Sequence, residues 1–431
     1  MFQAVRNAFR LPDLRAKILY TLGILLVYRF AAHVPVPGVD QDKLAEFFLN
    51  NTLGQIYNIL SGGALENFSI MAMGVYPYIT ASIIMQLLTP IIPALEELQK
   101  EGEQGRNKIN QYTYRLTVPL AFLTGLGQIA IMRQAEVLPD FGLNLASIAT
   151  LMALTAGTMF AVWLGDLITE QGIGNGISII IFGGIVAGAP GIVAQLTRNP
   201  QELILFFLVM IVTIFIIVFV QEGQRRIPVQ YGRQIRGRRT QGGQSTHVPL
   251  RVNASGMIPI IFSQSIIIFP GIVGSYLATM SNPTLSSIGL RMADWFSAGS
   301  VFYWIAYFIL TVGFTYFYTD VVFRQQNLAE SLRRQGGFVP GIRPGRTTEN
   351  FLTRVMMRLT FVGAIYLGLI AILPWLVSLI VRPFGVTIDP AGNTFIISSV
   401  GLLIVVGVVL DTMKQLEAQL TMRHYEGFIR R

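Results

Sequence analysis

Residues that could carry out chemistry are few in this chain, and they are not arranged as a catalytic site. The three histidines, His33, His247 and His424, form no His-Glu-x-x-His pair, and the chain has no cysteine and no Gly-x-Ser-x-Gly elbow. The glycine-rich run Gly172–Gly176 lacks the preceding strand and the lysine of a phosphate loop, so we interpret it as a helix start. The sequence therefore predicts no enzyme, no catalytic residue, no metal site and no cofactor.

The sequence is dominated by ten apolar stretches, and most of the residues considered above lie between them. Hydrophobic residues make up 52% of the 431 residues, and charged residues only 13%, about half the ~25% found in soluble domains. Most stretches reach the roughly 17–25 residues that a helix needs to cross a bilayer. In order they are Ile18–Val36, Ile70–Ile92, Leu116–Ile131, Leu145–Leu164, Ile177–Val193, Leu203–Val220, Met257–Leu277, Phe302–Tyr318, Leu359–Val381 and Phe395–Leu410. We predict an all-α polytopic membrane protein with ten transmembrane helices.

Positive charge is sorted between the two ends of these stretches. Successive helices cross the membrane in opposite directions, so the two tails and the even-numbered connections lie on one side. Together they hold all but six of the 32 Lys and Arg residues. The exceptions are Arg29 within the first stretch and, on the opposite side, Lys43, Arg133, Arg198, Arg291 and Arg382. By the positive-inside rule both termini are cytoplasmic. The net charge of +9 therefore predicts an acidic partner or anionic lipid on that side.

Ionisable residues are nearly absent from the centres of the predicted helices. A charge in the bilayer costs about 2.5–3.5 kcal/mol or more, so coupled transporters keep one there only for function. Asp166, Glu170 and Asp411 lie at cytoplasmic helix ends, where solvation or pairing explains them better than proton coupling. Arg29 lies in the outer half of the first helix and can snorkel or pair. An inverted-repeat solute transporter is the alternative prediction, and it would require an intramembrane charge or a polar pocket.

An internal repeat relates the second stretch to the seventh. Residues 74–79 and 256–261 both read Gly-x-x-Pro-x-Ile, and each is followed shortly by Ser-Ile-Ile. The two stretches are the second members of two groups of five helices, and repeats with an odd number of spans must have opposite orientations. We predict two inverted halves, residues 1–200 with helices 1–5 and residues 201–431 with helices 6–10, and a functional site where they meet.

The segment before the second stretch, about residues 60–70, is polar and rich in glycine. Irregular backbone is tolerated at membrane depth only where protein or a water-filled cavity surrounds it. Taken alone, the residues favour an ordinary external loop, whereas the inverted repeat favours a segment that fills such a cavity.

Two long cytoplasmic connections, about residues 222–255 and 320–358, hold seven arginines each. In the first, Ile227–Tyr231 and Val248–Val252 flank a Gly- and Arg-rich middle, which predicts an extended hairpin. In the second, Phe338–Gly345 has proline and glycine spaced as in an ordered loop, with Arg343 between two Pro-Gly pairs. Clustered arginines of this kind predict docking to phosphate or carboxylate groups.

Several motifs together resemble those of the SecY family of protein-conducting channel subunits, over essentially the whole chain. The residues that carry the resemblance are Gly62–Leu65, Met73–Ile79, Gly172–Ser178, Gln224–Pro228, Gln244–His247 and Phe338–Gly345. The resemblance implies a clamshell of two halves around a central hourglass pore in the bacterial cytoplasmic membrane. It implies passage of secretory polypeptides through the pore, and sideways release of apolar segments into lipid between helices 2–3 and 7–8.

The resemblance also implies roles for individual residues. It implies a plug formed by Gly62, Gly63, Ala64, Leu65, Glu66, Asn67, Phe68, Ser69 and Ile70. It implies a pore ring formed by Val75, Ile79, Ile181, Ile185, Ile261 and Ile404, although periodicity alone does not separate these side chains from their neighbours. An aliphatic ring suits a channel for arbitrary sequences, because it binds no substrate strongly and can gate by dewetting.

The partners implied are the small membrane subunits SecE and SecG, the motor SecA, the ribosome with its RNA and protein, signal peptides, nascent chains and membrane lipid. The residues predicted to dock SecA or the ribosome are Arg238, Arg239, Gly341, Arg343, Pro344 and Gly345.

Overall fold

The structure, a computed structural model, is built mainly of α-helices. It describes residues 11–36, 39–40, 42–44, 64–65, 67–134, 137, 145–197, 200–231, 234–236, 239–241, 245–278, 282–297, 299–326, 328–381 and 393–429. The helices are α1 (Pro12–Ala31), α2 (Tyr76–Leu88), α3 (Pro93–Lys100), α4 (Glu103–Gln134), α5 (Leu145–Gln171), α6 (Gly176–Leu196), α7 (Pro200–Glu222), α8 (Ile258–Ala278), α9 (Pro283–Trp295), α10 (Val301–Gln326), α11 (Leu328–Arg334), α12 (Arg346–Ala371), α13 (Leu373–Val381) and α14 (Asn393–Ile429). Each predicted apolar stretch falls on a helix, and the ninth is divided between α12 and α13.

Several of these helices can cross a membrane. Within the described ranges, five spans are long and apolar enough, and they lie in α5, α7, α10 with α11, α12 and α14. A sixth is formed if α2 and α3 count as one span, bent by 97°. The chain is therefore an all-α polytopic membrane protein, as predicted.

The helix α2 begins six residues later than the apolar stretch that predicts it. Gly74 has a φ of +52°, a left-handed conformation that interrupts a helix. Pro77 follows in the first turn, where its missing N–H costs no hydrogen bond. The helix α8 begins in the same way, with Gly256 at a φ of +65° and Pro259 in the first turn. The two copies of the sequence repeat thus share one backbone geometry.

The chain divides into two compact units. The first contains residues Met1–Leu208 and Gly392–Arg431, and the second contains Val209–Ala391. The last helix, α14, thus groups with the helices of the first unit. The division into inverted halves at residue 200 stays a prediction.

A small sheet in the second unit confirms the predicted hairpin. Strand β1 (Gln224–Tyr231) pairs antiparallel with β4 (Ser245–Arg251), and Ile227 lies opposite Val248. Strand β5 (Gly337–Phe338) pairs with the end of β1 and completes the order β4-β1-β5. Between β1 and β4, strands β2 (Gln234–Arg236) and β3 (Arg239–Gln241) form a separate ribbon. The second connection is therefore ordered against the first.

Candidate functional site

The described part of the predicted plug is buried within the first unit. Ala64, Leu65, Phe68 and Ser69 are all buried, and Phe68 is completely enclosed. The Val36 N–H donates to the Phe68 carbonyl at 3.0 Å. Gly62, Gly63 and Glu66 lie outside the described residues, while Asn67 and Ile70 are half-buried. Within this unit, the segment is therefore packed as part of an apolar core, unlike an ordinary surface loop.

That core surrounds the segment with side chains from several helices. Its buried members are Val36, Leu44, Leu65, Phe68, Ala72, Met73, Ala121, Ile129, Met132, Val137, Leu151 and Leu154. A second backbone bond joins the Ile70 N–H to the Val34 carbonyl at 3.1 Å. A side chain at Gly157 would overlap the Ile70 carbonyl, so α5 approaches the segment as closely as backbone allows.

Five residues of the predicted pore ring lie in the first unit. Val75 is buried immediately before α2, and Ile79 lies one turn later, its N–H donating to the Val75 carbonyl at 3.0 Å. Ile181 and Ile404 are buried, on α6 and α14 respectively. These two helices pack closely, because a Cβ at Gly401 would stand 3.3 Å from Cγ2 of Ile185. The structure thus brings α6 and α14 together.

The sixth residue, Ile261, lies in the second unit. It is buried in the first turn of α8, and its carbonyl accepts a hydrogen bond from the Ser265 hydroxyl at 2.8 Å. Ile79 and Ile261 each stand two residues after the proline of the repeat and therefore occupy equivalent places on α2 and α8. A closed ring of all six side chains stays a prediction.

The run Gly172–Gly176 starts a helix, which confirms its interpretation from the sequence. The Asn175 side chain accepts a hydrogen bond from the Ser178 N–H at 3.1 Å, as the residue that caps α6 should. Gly174 has a φ of +83°. The Ile173 N–H donates to the Thr21 hydroxyl at 3.3 Å and so ties this turn to α1.

The predicted docking loop in the second unit is fixed at both of its ends. On one side, the buried side chain of Val339 packs with Ile227 and Leu352, and its carbonyl accepts the Ile342 N–H at 3.1 Å. On the other, the Thr348 hydroxyl donates to the Arg343 carbonyl at 2.9 Å. Gly341 and Gly345 have φ values of +79° and +107°, which side chains rarely adopt. Arg343 and Pro344 between them are exposed on this ordered turn.

Among the described residues, ion pairs occupy three arginines of the same connection but not Arg343. Arg324 pairs with Asp320 at 2.8 Å, and both Arg333 and Arg334 reach Glu330. Within the described ranges, no acidic side chain pairs with Arg343. Arg238 lies outside the described residues, as does the side chain of Arg239.

A hydrogen bond that the sequence did not suggest involves Asp166. Both carboxylate oxygens of Asp166 on α5 accept from the Tyr114 hydroxyl of α4 at 3.1 Å, and the Tyr114 ring stacks on Tyr78 of α2 at 5.7 Å. Asp166 is thus paired, as predicted. It does not provide the unpaired carboxylate that a coupled solute transporter would use. In the described ranges no three His, Asp or Glu side chains are grouped as for a metal ion.

Comparison with known sequences gives one consistent result. Residues 69–413 match the family model SecY. A protein translocase subunit SecY from Thermotoga maritima is 42% identical over 444 residues, spanning 100% of this chain and 98% of that protein. Proteins of the same name from Streptomyces coelicolor and Halalkalibacterium halodurans are 41% and 42% identical, and each match spans 100% of both chains.

Solved structures share the fold. One described as a protein conducting channel has a TM-score of 0.60 and 17% identity, and the match covers 94% of this chain and 92% of that one. A structure concerning the plug domain of the SecY protein gives 0.61 with the same identity and coverage. Sec61 in the canine ribosome-channel complex gives 0.59 and 16% identity, again over 94% and 92%.

Proposed function

Because this chain belongs to the SecY family of protein translocase subunits, we propose how its residues divide the work of a protein-conducting channel. The chain is a multi-pass membrane subunit of that channel. Secretory polypeptides pass between its two inverted halves, and apolar segments leave sideways into lipid. The chain is not an enzyme, since moving a polypeptide through a pore breaks no covalent bond.

The seal of this channel consists of the plug segment and the aliphatic ring. The observation that carries the proposal is that Phe68 is completely enclosed while Ile181, Ile261 and Ile404 are buried aliphatic side chains on separate helices. Such side chains offer no hydrogen bond to a passing chain, and a narrow ring of them expels water. A seal of this kind accepts any sequence yet stops ions at rest.

The seal is tested by making the ring polar. Ile404→Asn combined with Ile261→Asn should wet the constriction and raise the resting ion conductance of planar bilayers. It should also relax the selection against weak signal sequences. The matched control is Ile404→Val with Ile261→Val, which keeps the ring apolar. If the asparagine pair conducts no more than the valine pair, these residues do not line the seal.

The cytoplasmic partner surface is the loop around Arg343. A surface arginine on a flexible loop contributes little, but a preorganised one can form a bidentate, charge-assisted pair with carboxylate or phosphate. Gly341, Pro344 and Gly345 hold the turn, and SecA and the ribosome are the partners, with Arg238 and Arg239 adding phosphate contacts. SecE and SecG complete the channel in the membrane.

Charge reversal tests the docking loop. Arg343→Glu should abolish SecA-driven transport and leave the melting temperature nearly unchanged, because the side chain is exposed. Arg291→Glu makes the same charge change outside this loop and should transport normally. Arg238→Glu with Arg239→Glu should mainly weaken ribosome binding and flatten its salt dependence. If Arg343→Glu transports at the wild-type rate, the loop only connects two helices and does not dock SecA.

The membrane is the bacterial cytoplasmic membrane, with both termini and the sheet β4-β1-β5 on the cytoplasmic side. The sorting of Lys and Arg supports this orientation, since positively charged loops are retained in the cytoplasm.

A further inference from the structure

A short helix, α9, is fixed by one face to the end of α8. A side chain at Gly289 would overlap the backbone of Ala278, and a Cβ at Gly274 would come within 2.8 Å of the Met292 Cβ. The Ser286 hydroxyl donates to the Ala278 carbonyl at 2.9 Å and satisfies an acceptor that the end of α8 leaves open. The position of α9 is therefore tied to that of α8.

A second face of α9 is apolar and exposed in the described structure. Leu285, Ile288 and Trp295 are exposed by 38%, 47% and 60%. Their spacing of three and seven residues places them on one side of a helix. A third face is mainly polar and carries Thr284, Ser287, Arg291 and Asp294, all exposed, with the exposed side chain of Leu290 beside them. A helix with packed, apolar and polar faces is typical of one that lies along a membrane surface.

The exposed apolar face continues onto the outside of α10. The ring of Trp295 lies 5.8 Å from that of Phe302. From there Phe302, Ile305 and Ile309 follow along α10 at helical spacing, exposed by 47%, 49% and 61%. This part of α10 belongs to a candidate membrane span, so its exposed apolar face meets lipid chains. Trp295 therefore joins α9 to a surface that lipid already covers.

The length of α9 determines how it can meet the membrane. Its 13 residues extend about 20 Å, too little to cross the hydrocarbon layer. It follows α8, which the sequence predicts to cross the membrane and whose 21 residues extend about 31 Å, so α9 is expected at the membrane face opposite the sheet. Tryptophan is enriched where headgroups meet acyl chains.

We propose that α9 is an interfacial helix whose partner is the lipid surface of the leaflet opposite the sheet. Leu285, Ile288 and Trp295 insert among the acyl chains just beneath the headgroups, while the polar face meets water. Arg291 and Asp294 offset one another in charge, so the contact does not require anionic lipid. Because Gly274 and Gly289 tie α9 to α8, the lipid surface sets the position of the end of α8.

Tryptophan fluorescence tests the proposal directly. The chain has four tryptophans, so Trp163→Phe, Trp304→Phe and Trp375→Phe together leave Trp295 as its sole reporter. The full chain, purified with its co-purifying membrane subunits, is placed in phosphatidylcholine nanodiscs that contain brominated lipid. Bromines near the headgroups should quench Trp295 more strongly than bromines near the chain ends, and aqueous iodide should quench it little. The control retains only Trp304, which is buried and should resist both quenchers.

Two outcomes would overturn the proposal. Quenching of Trp295 by iodide and not by brominated lipid would place this face in water. Protection of Trp295 from both quenchers, as for Trp304, would mean that another subunit or a second copy covers it.

Thiol labelling gives an independent measurement that leaves Trp295 in place. The chain has no cysteine, so an introduced one is its only labelled position. Ile288→Cys on the apolar face should react with a membrane-impermeant maleimide about tenfold more slowly than Arg291→Cys on the polar face, because a thiolate forms poorly in apolar surroundings. Both positions are exposed in the protein itself, so equal rates in nanodiscs would contradict lipid insertion.

Discussion

The starts of α2 and α8 share a backbone geometry but are supported by different interactions. Before Gly74, the side chains of Phe68, Met71 and Met73 are all buried, and backbone hydrogen bonds join Phe68 and Ile70 to the segment that follows α1. Before Gly256, the chain is held by side-chain hydrogen bonds. The side-chain amide nitrogen of Asn253 donates to the Gly256 carbonyl at 3.1 Å, and the Ser255 hydroxyl donates to the side-chain Oδ1 of Asn253, also at 3.1 Å.

This difference in support suggests distinct roles for the two copies of the Gly-x-x-Pro-x-Ile repeat. Hydrogen bonds are directional and specify one arrangement, whereas apolar burial is non-directional and tolerates displacement. The start of α8 is also pressed against α12, since a Cβ at Gly363 would come within 2.6 Å of the Val252 carbonyl. Under the proposed function, the first start is therefore suited to move with the plug segment, and the second to serve as a fixed reference beside the proposed docking loop.

The largest effect should come from removing the apolar support. Phe68→Ala deletes a fully enclosed ring, which typically costs about 3–5 kcal/mol, so the plug should leave its site often. Conductance of planar bilayers without substrate should rise strongly. Asn67→Ala, in the same segment but half-buried, is the control and should conduct like the wild type. A wild-type conductance for Phe68→Ala would mean that this packing does not hold the seal.

A smaller effect should follow from removing the hydrogen-bonded support. Asn253→Ala leaves the buried Ser255 hydroxyl and the Gly256 carbonyl without their partner, at a cost of about 1–3 kcal/mol. The melting temperature should fall by several degrees while the resting conductance stays unchanged. Ser255→Ala removes one of the two bonds and should cost less. If Asn253→Ala raised the conductance without lowering stability, the roles assigned to the starts of α2 and α8 would be wrong.

The smallest effect should come from replacing Gly74 and Gly256, the equivalent glycines that precede α2 and α8. An alanine at a positive φ is strained by about 1–2 kcal/mol, so Gly74→Ala and Gly256→Ala should lower the melting temperature similarly. At Gly256 strain acts alone, because no atom lies within 4 Å of the added Cβ. Only Gly74→Ala should alter conductance. Equal changes in conductance would show that the two starts do not differ in function.

Local patterns predicted much of this architecture, because they depend on neighbours along the chain. The ten apolar stretches, the β1–β4 hairpin and the sequence repeat at Gly74 and Gly256 are all of this kind. Contacts between distant residues were not predictable. Nothing near Asp166 in sequence indicates that Tyr114, 52 residues away, donates to it. Nor does the pattern around Gly401 reveal that Ile185 packs there, since any small residue would suit a helix surface.

The backbone of Phe68 is strained within the segment that we propose as the plug. Among the described residues it is the only non-glycine with a positive φ, at +40°. Such a conformation costs an L-residue about 1–2 kcal/mol, whereas burying its ring stabilises by about 1.5–3 kcal/mol. The backbone strain therefore offsets part of the stabilisation that burial of the ring provides. Under the proposed function, this strain lowers the work that a passing polypeptide must do to displace the segment.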